Sequence, residues 1–134
     1  MDPLALLQAH PMPLATLMGI TFTQADRDCV TATMVVRPDL CTLANRVHGG
    51  TLMALADTVG AAATVINLPP GTTTTTIESK TNFLASAAEG TTLTAQATPI
   101  HKGRRTQVWQ TKISTEAGKL AAIVTQTQMV LAAQ

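Results

Sequence analysis

VHGGTLMALADTVGAAATVINL, residues 47–68, is the stretch whose reading decides the fold. Ala, Leu and Met are strong helix formers, and no proline interrupts the run before Pro69 and Pro70. A helix is expected from Gly49 to Ile66. Its apolar residues keep to no single stripe: Leu52, Met53, Leu55, Val59, Val65 and Ile66 go all the way round. A helix of that kind is buried on most sides. Ala54, Ala56, Gly60, Ala61, Ala62 and Ala63 let neighbouring backbone come close. The expected arrangement is a helix wrapped by a sheet.

One acid, Asp57, interrupts this apolar surface, and a buried carboxylate is costly unless something offsets it. It either sits on a solvated edge, bonds a neighbouring hydroxyl such as Thr58, or does chemistry. The residues just before the helix bear on that choice. His48-Gly49-Gly50 at a helix start leaves several N–H groups without partners. The glycines allow close approach of a ligand, and the helix dipole favours negative charge there. A carboxylate together with a site for an oxyanion points to acyl transfer or hydrolysis.

Outward from the helix, the flanking segments read as strands. Asp2-Pro3 starts a short helix over Leu4 to Ala9, and Leu14 to Met18 makes another turn closed by Gly19, so residues 1–18 form a small helical lead. Ile20 to Ala25 and Cys29 to Val36 form a hairpin across Asp26-Arg27-Asp28, with Val30, Ala32, Met34 and Val36 on one face. Arg37-Pro38-Asp39 breaks it, and Leu40 to Val47 is a loop into the helix. After Pro69-Pro70-Gly71 come strands over Thr72 to Phe83, Thr91 to His101, Arg105 to Thr115 and Leu120 to Leu131. In the first of these, Ile77, Ser79, Thr81 and Phe83 share a face. The connections are short, so the four are expected to pair as a meander. The whole is α+β: one long central helix wrapped by a curved, six-stranded antiparallel sheet.

Composition narrows the function classes. A chain of 134 residues makes one domain with a sizeable core. The net charge of +1 gives no electrostatic case for nucleic acid or an anionic membrane. With no Tyr, one Trp and two Phe, the core is aliphatic and alanine-rich, and association would help so thin a monomer. Cys29 and Cys41 give no disulfide framework and read as reduced thiols. Met-Asp-Pro-Leu lacks the layout of a signal peptide, and Asp57 argues against the helix crossing a bilayer. A soluble, cytoplasmic protein is expected. There is no clustered ligand set for a metal.

The pattern resembles the hotdog-fold acyl-CoA thioesterases, in the phenylacetate-degradation (PaaI-like) branch of the 4-hydroxybenzoyl-CoA thioesterase superfamily. The matching residues are His48-Gly49-Gly50 with Asp57 nine positions after the histidine, Asn82-Phe83-Leu84 with Gly90 beyond, and Lys102-Gly103-Arg104-Arg105 between two strands. The resemblance spans Leu14 to Leu131. It implies hydrolysis of a small aromatic or short- to medium-chain acyl-CoA, with Asp57 as nucleophile or general base and the Gly49 N–H holding the carbonyl oxygen. Gly50 would let the helix start tightly, and His48 either fixes the loop or touches substrate. Many relatives carry Asn or Gln six positions before the histidine and Gly three before it, where this chain has Thr42 and Asn45. Asn45 can adopt the positive φ that Gly would supply, or provide the missing amide. Relatives also place a hydroxyl near the end of the first strand after the helix; Ser86 is the nearest candidate, a turn residue otherwise. Lys102, Gly103, Arg104 and Arg105, with Arg46 as a second candidate, would meet the phosphates of coenzyme A or else form a solvated turn. No cofactor is implied beyond the coenzyme A of the substrate.

Gly49 and Asp57 are eight residues apart, which is about 12 Å along one helix at 1.5 Å per residue. One carbonyl cannot touch both, so a shared site must draw them from different subunits. A homo-oligomer with sites between subunits follows, as a dimer or a dimer of dimers. Two other readings share the fold: a hydratase or dehydratase, whose His and acid are spaced differently, and a non-catalytic acyl-CoA-binding protein. Regulators of that last kind carry a DNA-binding module, for which this chain has no room.

Overall fold

The computed structural model describes residues 1–133. Two short helices open the chain. α1, Pro3–Ala9, is capped by Asp2, whose carboxylate accepts from the Ala5 N–H at 3.1 Å. α2, Pro13–Met18, ends at Gly19 with φ 75°, the left-handed geometry that glycine supplies without strain. A hairpin of β1, Thr21–Asp26, and β2, Cys29–Val35, follows, one residue offset from the expected ranges. Val30, Ala32, Met34 and Val36 are all buried, as the alternation required. The segment expected as plain loop holds a two-residue ladder, β3 (Cys41–Thr42) with β4 (Arg46–Val47). Then comes α3, Gly49–Val65, followed by β5, Thr73–Phe83; β6, Thr92–Lys102; β7, Thr106–Ser114; and β8, Leu120–Leu131.

The six long strands form one antiparallel sheet in the order β1-β2-β6-β7-β8-β5, with α3 packed on it. This is the helix-in-sheet arrangement that the sequence predicts, with a correction to the strand pairing. β5 does not pair with β6 in a four-strand meander; it pairs with β8 along the far edge. The reason lies in residues 84–91, too long a connection for a tight hairpin and long enough to span three strand spacings of about 4.8 Å. That strap passes the start of α3 and ties it down. The Val47 N–H donates to Ala87 O at 2.9 Å, Glu89 N–H to Asn45 O at 3.0 Å and Gly90 N–H to Val36 O at 2.8 Å.

A second correction concerns the faces of β5. The register with β8 shifts between Thr76 and Glu78, so the bulged Ile77 turns outward and is 54% exposed. Thr74 and Thr76 point inward before the bulge, Ser79 and Thr81 after it. The expected face of Ile77, Ser79, Thr81 and Phe83 therefore loses its first member.

The core is aliphatic. Leu52, Leu55, Val59, Ala62 and Ala63 of α3 pack with Met34, Leu93, Ile113, Val124 and the single tryptophan, Trp109, all buried. Only one stripe of α3 stays open: Gly50, Met53, Ala54, Asp57, Ala61 and Val65. No helix among the described residues is long and apolar enough to cross a membrane.

Candidate active site

The helix start is built from backbone. Of the first four N–H groups of α3, Thr51 and Leu52 donate to His48 O, at 2.9 and 3.3 Å. Gly50 donates to Nδ1 of His48 at 2.8 Å, which makes the imidazole an N-cap and places any ring proton on Nε2. The Gly49 N–H is left, and it has no acceptor among the described residues. Next to it lies the Phe83 ring, close enough that a Cβ on Gly49 would meet Phe83 Cε1 at 3.2 Å. Gly49, Val47, Leu52 and Phe83 line a hollow of about 390 Å³ with residues 84–86. A lone N–H donor at the positive end of a helix, beside an apolar wall, is suited to a carbonyl oxygen that gains charge.

The preceding loop is held in an uncommon conformation. Asn45 has φ 56°, the positive value expected of it, and Ala44 beside it has φ 62°. Left-handed geometry at an alanine costs about 1–2 kcal/mol, and it survives here because the strap pins the loop on both sides. Thr42, Asn45 and Arg46 are exposed around this turn.

Asp57 lies on the open stripe of α3, in a separate hollow of about 240 Å³ lined by Met53, Ala54, Thr76 and Ser79. The hollows at Gly49 and Asp57 share no residue. Oδ1 of Asp57 accepts from the Thr76 hydroxyl at 2.8 Å and from Nε2 of Gln126 at 3.1 Å. Thr76 Oγ1 accepts from Nε2 of Gln128 at 2.6 Å, and the Thr74 hydroxyl lies 2.9 Å from Gln128 Oε1 and 2.8 Å from Met129 O. The acid is thus offset by hydroxyl and amide donors, from residues that sequence reasoning missed. The hydroxyl partner is Thr76, early in β5, and Ser86 sits instead at the Gly49 hollow. The missed signal was the inward phase of β8: Ala122 and Val124 continue onto Gln126 and Gln128, and glutamines in a core phase need partners.

The basic turn divides. Lys102 Nζ bonds Asp28 Oδ1 at 2.7 Å and Arg27 O at 3.2 Å, joining the turn to the β1–β2 hairpin. Gly103 fits where a Cβ would press on His101 and on Thr106 O, and its N–H donates to that carbonyl at 2.9 Å. Arg104 and Arg105 are exposed and enter no ion pair among the described residues. Partial burial, with the Glu89 and Asp39 carboxylates adding to it, pushes the Cys41 thiol above its ordinary value, away from the thiolate a nucleophile needs. Among the described residues no three His, Cys, Asp or Glu cluster as metal ligands.

The thioesterase superfamily model matches residues 44–122, from the Ala44 turn through α3 into β8. A thioesterase from Haemophilus influenzae superposes with a TM-score of 0.87 at 33% identity, over 95% of this chain and 88% of that one. The PaaI protein of the E. coli phenylacetic acid degradation operon gives a TM-score of 0.87 at 26% identity, over 97% and 92%. The 1,4-dihydroxy-2-naphthoyl-CoA hydrolase of Listeria monocytogenes is 30% identical over 112 residues, covering 84% of this chain and 90% of that protein. The chain belongs to the thioesterase superfamily, on the hotdog fold. It is a thioester hydrolase.

Proposed function

We propose that the enzyme hydrolyses a small aromatic or short- to medium-chain acyl-CoA at a site shared by two subunits. Gly49 of one subunit holds the carbonyl oxygen and Asp57 of the other drives attack on the carbonyl carbon. The observation that carries this reading is the pairing of an acceptor-free Gly49 N–H with a donor-held carboxylate in hollows that do not meet within one chain. Eight helical residues put them about 12 Å apart, beyond the reach of one carbonyl. The edge of β5 and the open stripe of α3, with Met53 and Val65 on it, are the surfaces on which a second copy would bring the two groups together.

The reaction adds water across the C–S bond. On one route Asp57 attacks the carbonyl carbon, the C–S bond breaks with its electron pair, and water then hydrolyses the resulting anhydride to the free acid and the Asp57 carboxylate. On the other Asp57 takes a proton from the water that attacks, and the C–S bond breaks in the same way. On both routes the proton that water gives up ends on the thiolate of coenzyme A. Gly49 stabilises the oxyanion between these events, a contribution worth about 10² to 10³ in rate. Arg104 and Arg105, with Arg46 near the helix start, are the cations for the phosphates of the coenzyme. Thr42 and Asn45 form the rim of the turn that positions His48.

Aromatic acyl groups are favoured by the Phe83 ring beside Gly49 and by the naphthoyl-CoA substrate named for the Listeria relative. The test is release of free thiol from a panel of aromatic and aliphatic acyl-CoAs. Turnover of phenylacetyl-CoA, benzoyl-CoA or hexanoyl-CoA supports the reading. Binding of all three without thiol release would replace it with a sensor.

A further inference from the structure

The donors on the Asp57 carboxylate all reach the same oxygen, and Gln126 Nε2 also lies 3.4 Å from the Asp57 carbonyl oxygen. Thr76 and Gln126 both bond Oδ1, and no donor among the described residues reaches Oδ2. Behind them Gln128 donates to Thr76 and Thr76 to Asp57, while the Thr74 hydroxyl lies 2.9 Å from Gln128 Oε1 and 2.8 Å from Met129 O. The Thr76 hydroxyl has one proton and already receives from Gln128, so it donates to Asp57; with Gln126 donating as well, Oδ1 is an acceptor with no place for a proton of its own.

Gln126 is an expensive residue to keep where it is. It is fully buried, and its Oε1 has no partner. A buried oxygen without a donor costs stability. Turning the amide over would give Oε1 a new environment but would set it against the carboxylate, so the acid fixes the orientation seen. The room for this amide comes from α3, because a Cβ on Gly60 would collide with it. Glycine inside a helix is itself unfavourable. Two sequence choices that weaken the fold therefore meet at one amide, and that amide bonds Asp57 Oδ1 at 3.1 Å.

We propose that Gln126 and Thr76 are positioning residues that occupy Oδ1 of Asp57, so that Oδ2 alone is presented to the thioester, with Gln128 orienting Thr76 and Gly60 admitting Gln126. This rests on the reading of Asp57 as the group that drives hydrolysis. Oδ2 is then the atom that attacks or takes up the proton, while Oδ1 keeps its two donors throughout.

The test uses the full-length enzyme and whichever of phenylacetyl-CoA, benzoyl-CoA and hexanoyl-CoA the wild type turns over fastest. Gln126→Met keeps the volume and removes the amide. It is expected to lower kcat about 10- to 100-fold, the scale of a misplaced reacting group, with KM unchanged. Its melting temperature should be unchanged or higher, because the orphaned oxygen goes with the amide. Thr76→Val should lower kcat in the same way, and Thr76→Ser should restore it. A Gln126→Met enzyme with wild-type kcat, or one that melts lower without losing kcat, overturns the proposal. Should Gln126→Met not fold, equal kcat in Thr76→Val and Thr76→Ser overturns it instead. Asp57→Asn separates the two levels. An active Asp57→Asn enzyme removes the underlying reading, whereas an inactive one beside a fully active Gln126→Met enzyme removes only the positioning role.

Discussion

Asp57 is the one charged residue of α3, and its neighbours hold its carboxylate through one oxygen. Asp57→Asn is nearly isosteric, so fold and acyl-CoA binding should be retained while turnover falls by at least about 10² to 10⁴, the contribution of a base or nucleophile. Steady-state kinetics and a binding titration check both halves; activity within tenfold of wild type would remove Asp57 from the mechanism. Ala44 makes the opposite kind of prediction. At φ 62° it carries left-handed strain that glycine would relieve. Ala44→Gly is expected to raise unfolding stability by about 0.5–1 kcal/mol, measured in urea, with little change in kcat if the strap alone sets the loop. Sequence showed that Asn45 could take positive φ. It did not show Ala44, because nothing in an alanine signals such a conformation; the hydrogen bonds of residues 87–90 impose it. His48 was open between loop fixing and substrate contact, and its Nδ1 bond to Gly50 accounts for the first role.

At the scale of elements, the helix and all six long strands follow from local pattern, since period and breakers are local properties. The pairing of β5 was not legible. Its register is set by the inward threonines against Gln126 and Gln128 of β8, a relation between distant segments. The bulge at Ile77 hid the phase in the same way, because alternation was read straight through it. The β6–β7 turn carries a prediction of its own. Lys102 is held by Asp28, so Arg104 and Arg105 are the cations free to meet phosphate. Changing both to Ala should raise KM for acyl-CoA and leave KM for an N-acetylcysteamine thioester, which has no nucleotide, unchanged. Equal effects on the two substrates would show the turn to be only solvated. Added salt should mimic the loss for the wild type, since exposed charges are screened.

For the whole molecule, the proposed mechanism makes a single chain the holder of two half-sites: the Gly49 N–H at one end of α3 and Asp57 about 12 Å along it. Sequence spacing sufficed to see that separation, and the structure adds that the two hollows have no residue in common. What spacing could not supply was the support behind each half, the strap over the helix start and the donors on β8, because both arise from chain crossings. The shared site has a direct measurement. Asp57→Asn is one inactive parent. Gly49→Pro is the other, since proline removes the N–H but suits the first helical position, and the half-exposed Phe83 ring can give way to it. The two proteins are unfolded together, refolded at equal concentration and assayed, with subunit exchange verified by mass. About half the dimers should be mixed, and in each of those one site collects both lesions and the other neither, so roughly a quarter of wild-type activity should return. If Gly49 and Asp57 acted within one subunit, every site would keep a lesion, and a fully exchanged mixture that stays inactive would contradict the shared site.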